Sequence, residues 1–284
     1  QFEKLLSQAG VKDGTTVVLY GDTNNWFAAW GAWVFDIYGV QNVKLLDGGR
    51  KKWEAENRPL NNRAPEYAAT TYRVGKVNTA LRARLTDALA SAEGRSDARL
   101  VDIRSADEYQ GKVFAPAGVP ELAIRAGHIP GAVNVPWGQA VREDGSFKSA
   151  EELKKLYAGV GIDGSKPVIT YCRIGERSSH TWFALSKILG YQVRNYDGSW
   201  TEYGNSVGVP INNPAGTVWG LDKYSGSALW SNTTLARRSL TAPTIHGAIN
   251  CLRPSTTVAT YTTSRSRRSR THQKFAILAA RRRY

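Results

Sequence analysis

The feature that most constrains this chain of 284 residues is that part of it occurs twice, at an offset of 150. Internal self-similarity of this kind means that one structural unit is built more than once. Val17-Val18-Leu19-Tyr20 and Pro167-Val168-Ile169-Thr170-Tyr171 both read as buried strands. A polar turn follows each, then an apolar helix, Trp26 to Tyr38 in the first copy and Ser178 to Leu189 in the second. Gly39 and Gly190 end those helices in the manner of left-handed C-terminal caps. Short strands come next, Val43 to Leu46 and Val193 to Tyr196, followed by Asp47-Gly48-Gly49 and Asp197-Gly198-Ser199. An aromatic residue stands six places after each Asp, Trp53 and Tyr203. Alternating strands and helices predict βαβ units and a mostly parallel sheet flanked by helices in each copy.

The second copy has a long preamble: strands at Leu100 to Ile103 and Ala132 to Val135, and a helix from Ala150 to Tyr157. Its counterpart would precede Gln1. With no methionine in the chain and a helical pattern already running at Phe2, Leu5, Leu6 and Ala9, the sequence reads as a piece of a longer protein. The expected organisation is a partial first domain over 1–57, a linker over 58–78 and a complete second domain over 79–213. A basic tail, rich in Ser and Thr, follows over 214–284.

Charge supports that division. The net charge of +14 invites a nucleic-acid partner, but residues 217–284 carry ten Arg and two Lys against one Asp, leaving +3 for the rest. The tail also holds 19 Ser or Thr among 68 residues and no hydrophobic period, so it is expected to be disordered rather than a binding face. No apolar run approaches the ~18 residues of a membrane span, and no leader pattern opens the chain. Two cysteines, Cys172 and Cys251, exclude a disulfide scaffold and suggest a cytoplasmic protein. No metal or cofactor is expected, and neither a membrane nor a nucleic acid as partner.

Chemistry concentrates at Cys172-Arg173-Ile174-Gly175-Glu176-Arg177-Ser178, between a buried strand and an apolar helix. In open parallel sheets, ligand sites gather at the carboxyl ends of strands. A helix starting near Ser178 aims unsatisfied N–H groups and its positive dipole end into the loop. With Arg173 and Arg177 beside it, Cys172 is expected to be acidic and nucleophilic. The same donors can hold an oxyanion. A buried structural cysteine is the blander reading, and two neighbouring arginines argue against it.

These residues resemble the two-domain rhodaneses, the thiosulfate sulfurtransferases, in their bacterial form with a Cys-Arg-Ile-Gly-Glu-Arg loop. The likeness rests on three motifs: Leu100 to Ser105 with Glu108-Tyr109; Gly127-His128-Ile129-Pro130-Gly131-Ala132 with Asn134; and Cys172 running into Ser178-Ser179-His180-Thr181-Trp182. It implies tandem α/β rhodanese-like domains, the first N-terminally truncated and catalytically silent. The repeat sets Asp22 against Cys172, and a carboxylate cannot carry a persulfide. The resemblance further implies Cys172 as nucleophile, Arg177 and Arg173 as ligands of an anionic substrate, and Gly175 as the residue that turns the loop N–H groups inward. Asp102 and Arg104 would support the loop from a strand end, or form a structural ion pair. The implied substrates are thiosulfate and a small thiophilic acceptor. A 3-mercaptopyruvate sulfurtransferase and a sulfur carrier or interaction module without enzymatic activity are the alternatives. A dual-specificity phosphatase needs five residues between Cys and Arg, and only four separate Cys172 from Arg177. His128 is expected to shape a turn, His180 to make a helix or interdomain contact, and Trp26, Trp30 and Trp33 to pack in a core or interface. Cys251 has no expected partner.

Overall fold

The structure, a computed structural model, describes residues 1–216 except Thr23, Ala64 and 119–122, together with the backbone of three later strands. In chain order the first copy contains α1 (Phe2–Gln8), β1 (Thr16–Tyr20), α2 (Trp26–Ile37), β2 (Val43–Leu45) and α3 (Gly49–Ala55). The second contains α4 (Leu85–Ala92), β3 (Arg99–Asp102), α5 (Ala106–Gln110), β4 (Val133–Asn134), α6 (Ala150–Ala158), β5 (Val168–Tyr171), α7 (Glu176–Phe183), β6 (Val193–Asn195) and α8 (Ser199–Tyr203). The strands β7 (Val218–Leu221), β8 (Ala228–Asn232) and β9 (Ala276–Ala280) follow. The rest of the tail, Cys251 included, lies outside the described residues, and so does the expectation of disorder there.

The second copy is a fully parallel four-stranded sheet in the order β4-β3-β5-β6. All four residues of β5 are buried, as both faces of a parallel sheet must be when helices cover them. The first copy repeats the crossing as the parallel pair β1–β2, with β9 antiparallel along the other edge of β1. Gly39 and Gly190 do end their helical segments with positive φ, +69° and +72°. The second segment is helical from Glu176, two residues earlier than the pattern suggests, and widens into a π turn over Ala184–Ile188. Residues 58–78 contain no helix or strand among those described. They run back along the first copy, where Glu3 Oε1 accepts from Val74 N–H at 3.0 Å and Ser7 Oγ accepts from Tyr72 N–H at 2.9 Å. No described helix is long and apolar enough to cross a membrane.

The two copies share a core. Helix α2 is apolar apart from Asp36 because both of its sides are covered. Ala28, Ala32 and Phe35 join the core of the first copy with Leu6, Val17 and Leu19. Trp33 and Ile37 join a cluster with Val101, Ile103, Trp182 and Leu185 of the second copy. The Trp33 indole is fully buried, its N–H donates to the Leu81 carbonyl at 3.1 Å, and the Arg82 guanidinium sits 5.1 Å from its ring. Trp26 meets Trp137 edge to face at 4.9 Å. The tryptophans are thus packing residues. Truncating a buried Trp costs about 3–5 kcal/mol. Trp33→Ala should therefore lower the urea midpoint sharply, with both copies melting together; a loss below about 1 kcal/mol would show that the copies do not depend on this contact.

Candidate active site

Cys172 follows β5 directly and is fully buried. The loop closes over four residues because Gly175, the N-cap of α7, adopts φ +95°. A Cβ there would lie 2.6 Å from Asp197 Cα, so both conformation and space demand glycine. The Gly175 N–H then points at Cys172 Sγ, 3.1 Å away. Its carbonyl accepts from Ser178 Oγ, Ser179 Oγ and Asn195 Nδ2 at 2.8–3.2 Å, fixing the start of α7. From the far side, Ser199 Oγ accepts the Cys172 N–H at 3.1 Å and donates to the Tyr196 carbonyl at 2.6 Å. Ser199 does so at φ +51°, an uncommon conformation for a residue other than glycine. The Cys172 and Arg173 carbonyls accept from Trp200 N–H and Thr201 N–H at 3.0 and 2.9 Å. Cys172, its loop and α8 are therefore one hydrogen-bonded unit.

Of the sequence-derived site residues, Cys172, Arg173, Gly175 and Arg177 come together in this loop. Arg173 is half-buried. Arg177 is 7% exposed, and its contacts are long: 3.4 Å to Glu108 Oε1 and 3.9 Å to Glu176 Oε1. Asp102 and Arg104 instead close on each other. Both are buried; Arg104 Nε and Nη2 reach the two carboxylate oxygens at 2.6–3.2 Å, and Nη2 also donates to the Gly127 carbonyl at 2.7 Å. The guanidinium stacks 4.6 Å from the Trp200 ring. This is the structural ion pair, supporting the wall behind the loop. His128 Nδ1 is 2.7 Å from the Tyr109 carbonyl and its ring stacks on Tyr109 at 3.6 Å, so it shapes a turn. His180 is buried between Phe147 and Trp137, and burial pushes its pKa down to about 3.

Two expectations change. Cys172 is less acidic than its arginines suggested. Burial raises its pKa, Glu176 raises it further, and Arg177 with the Ser178 hydrogen bonds only partly opposes them. The counterpart of Cys172 in the first copy is Gly21, not Asp22. Val17 pairs with Val43 as Val168 pairs with Val193, an offset of 151 in the strand, because the first loop is one residue longer. Accordingly Gly21 O accepts from Arg50 N–H just as Cys172 O accepts from Trp200 N–H. Where Gly175 leaves room for a sulfur, the first copy has Asn25 at φ +56°. The Asn25 amide fills that loop, accepting from Gly21 N–H at 2.8 Å and donating to the Leu46 carbonyl at 2.6 Å. The first copy thus has neither thiol nor space.

Sequence reasoning gave no role to Glu108, Glu176, Ser178 or Ser199. Glu108 had a readable signal, since Ser105-x-x-Glu108 is a capping box, and Glu108 Oε2 does accept the Ser105 N–H at 3.0 Å. Its free oxygen, Oε1, is what meets Arg177.

Comparison with known proteins identifies the family. The rhodanese-like domain family matches residues 1–56 and 85–206, more than half of the chain, and the chain belongs to that family. A protein of Saccharopolyspora erythraea, named as a candidate thiosulfate sulfurtransferase, is 57% identical over 215 residues, 75% of each chain. The sulfur carrier protein TtuD of Thermus thermophilus is 51% identical over 217 residues, 74% of this chain and 75% of that one. The crystal structure of SseA from Escherichia coli, described as a 3-mercaptopyruvate sulfotransferase, superposes with a TM-score of 0.58 at 30% identity, covering 70% of this chain and 72% of that one.

The electrostatics predict how the thiol titrates. Alkylation of Cys172 by iodoacetamide, read by peptide mass, should rise with pH through and beyond the ordinary cysteine value of about 8.5. A plateau already reached near neutrality would contradict a thiol held protonated by burial and Glu176.

Proposed function

We propose that this chain is a sulfurtransferase that takes the outer sulfur of thiosulfate onto Cys172 and delivers it to a thiophilic acceptor such as cyanide or a thiol. Family membership and the names of its relatives support sulfur transfer. The choice of residues and donor rests on the loop. The observation that carries it is the buried Cys172 sulfur, 3.1 Å from the Gly175 N–H at the N-terminus of α7, with Arg177 in the first turn of that helix.

In the first half-reaction Cys172 gives its proton to solvent and the thiolate attacks the outer sulfur of thiosulfate. A Cys172 S–S bond forms, the bond to the sulfonate sulfur breaks, and its electron pair leaves on sulfite. In the second, the acceptor attacks the outer sulfur of the persulfide and the Cys172 thiolate is restored. This is covalent catalysis, with ping-pong kinetics. Each half-reaction places negative charge on sulfur, where the loop N–H and the dipole of α7 stabilise it. Arg177 receives the sulfonate oxygens: a guanidinium stays charged and forks onto two oxygens.

The second reading is 3-mercaptopyruvate as donor, favoured by the likeness to SseA. The two arginines of the loop suit a sulfonate dianion better than a monocarboxylate. Steady-state thiocyanate formation tests the proposal. Cys172→Ser should abolish it, since an alkoxide forms poorly and carries no persulfide. Arg177→Ala removes a charged hydrogen bond of about 1.5–3 kcal/mol, one to two orders of magnitude in kcat/KM for thiosulfate. Arg177→Lys should recover only part. Full turnover in Cys172→Ser would overturn the mechanism; a higher kcat/KM with 3-mercaptopyruvate than with thiosulfate would transfer the donor assignment.

A further inference from the structure

Glu176 has no part in the chemistry derived so far, yet its carboxylate lies against the sulfur. It is 8% exposed, and its Oε2 lies 3.7 Å from Cys172 Sγ with the thiol as donor. A buried carboxylate at that place opposes the thiolate that loading requires. It also repels an incoming dianion. Of the other charges about the loop, Arg173 is half-buried one residue after Cys172, and Arg177 opposes Glu176 at the sulfur only in part. Arg177 is shared between Glu176 and Glu108 of α5, at 3.9 and 3.4 Å. Asp197, against Gly175, is paired with Arg82 at 3.4 Å, and the Asp102–Arg104 pair is closed on itself. With Arg177 set against two carboxylates, the arrangement hinders the first half-reaction. Its use lies in the second, if that step has a proton to dispose of.

We propose that Glu176 accepts the proton of the sulfur acceptor, and that the acceptor is a neutral thiol. The proposal rests on the reading of Cys172 as the sulfur-carrying nucleophile. A neutral thiol approaches the persulfide without opposing the carboxylates, as a preformed thiolate would. Its proton passes to Glu176 Oε2 while its sulfur attacks the outer sulfur of the Cys172 persulfide. The acceptor S–S bond forms, the S–S bond to Cys172 breaks, and its electron pair remains on Cys172 Sγ. Loading leaves the outer sulfur as an anion; it takes a proton from solvent before discharge and keeps it, so the product is a neutral persulfide. The proton on Glu176 then returns to Cys172 Sγ or to solvent. No external oxidant or reductant is needed.

Single-turnover discharge tests this. The persulfide is formed with thiosulfate, or with inorganic tetrasulfide so that donor preference does not matter, and its loss is followed by mass. Discharge uses 2-mercaptoethanol, a neutral thiol at about pH 7, or sulfite at about pH 8.5, which brings no proton. Proton transfer by a positioned group contributes roughly 10²–10⁴-fold, so Glu176→Gln should slow discharge by the thiol at least about 100-fold near neutrality. The remaining rate should climb tenfold per pH unit with the thiolate fraction, whereas the parent is flatter. Loading by thiosulfate and discharge by sulfite should become faster, because a negative charge has left the path of a dianion. Glu176→Asp should regain part of the thiol rate. Equal changes with thiol and sulfite, or an unchanged thiol rate and pH slope, would overturn the proposal. If Glu176→Gln does not load at all, the parent decides: a shallow pH slope supports Glu176, a tenfold rise per pH unit contradicts it. A parent that forms no persulfide with either donor would overturn the sulfur-transfer reading, and this one with it.

Discussion

Everything in the second copy depends on one contact, the Gly175 N–H directed at the Cys172 sulfur. It requires a glycine at positive φ, since a side chain would strike Asp197, and it requires β5 to end where it does. Ser199 holds the Cys172 N–H from the other side, in a strained backbone conformation that the hydrogen bonds to Cys172 and Tyr196 offset. A buried sulfur gains charge only where donors are already in place, because water cannot supply them. The loop therefore holds the geometry that stabilises an anion while burial and Glu176 keep the resting thiol protonated.

The two copies show how small a change separates an occupied loop from an empty one. Both present a residue with positive φ at the start of the helix, Asn25 and Gly175. In the first, a side-chain amide satisfies Gly21 N–H and the Leu46 carbonyl; in the second, both roles pass to the Ser199 hydroxyl and the interior receives the sulfur. The first copy contributes through α2 instead, whose Trp33 and Ile37 complete the core behind β3 and α7. The loop of the second copy and the helix of the first thus rest on one apolar cluster.

Much of this was legible in the sequence. Buried strands, glycine-capped helices and the alternation between them fixed the parallel α/β units, because those patterns follow from backbone geometry. The loop residues Cys172, Gly175 and Arg177 were legible for the same reason, being adjacent along the chain. What could not be read depended on contacts between distant segments. The pairing of Glu108 with Arg177 joins residues 69 apart, and the hold of Ser199 on Cys172 joins residues 27 apart. The raised thiol pKa could not be read either: the sequence displays charges but not burial. The equation of Asp22 with Cys172 failed through a one-residue difference in loop length, which only strand register exposes.

The central claim is that Cys172 itself carries the transferred sulfur. Peptide-resolved mass spectrometry of the intact chain after brief treatment with thiosulfate tests it most directly. One added sulfur on the peptide containing Cys172, removed by cyanide and absent from Cys251, is the result this account predicts. An added sulfur on Cys251 alone would contradict it.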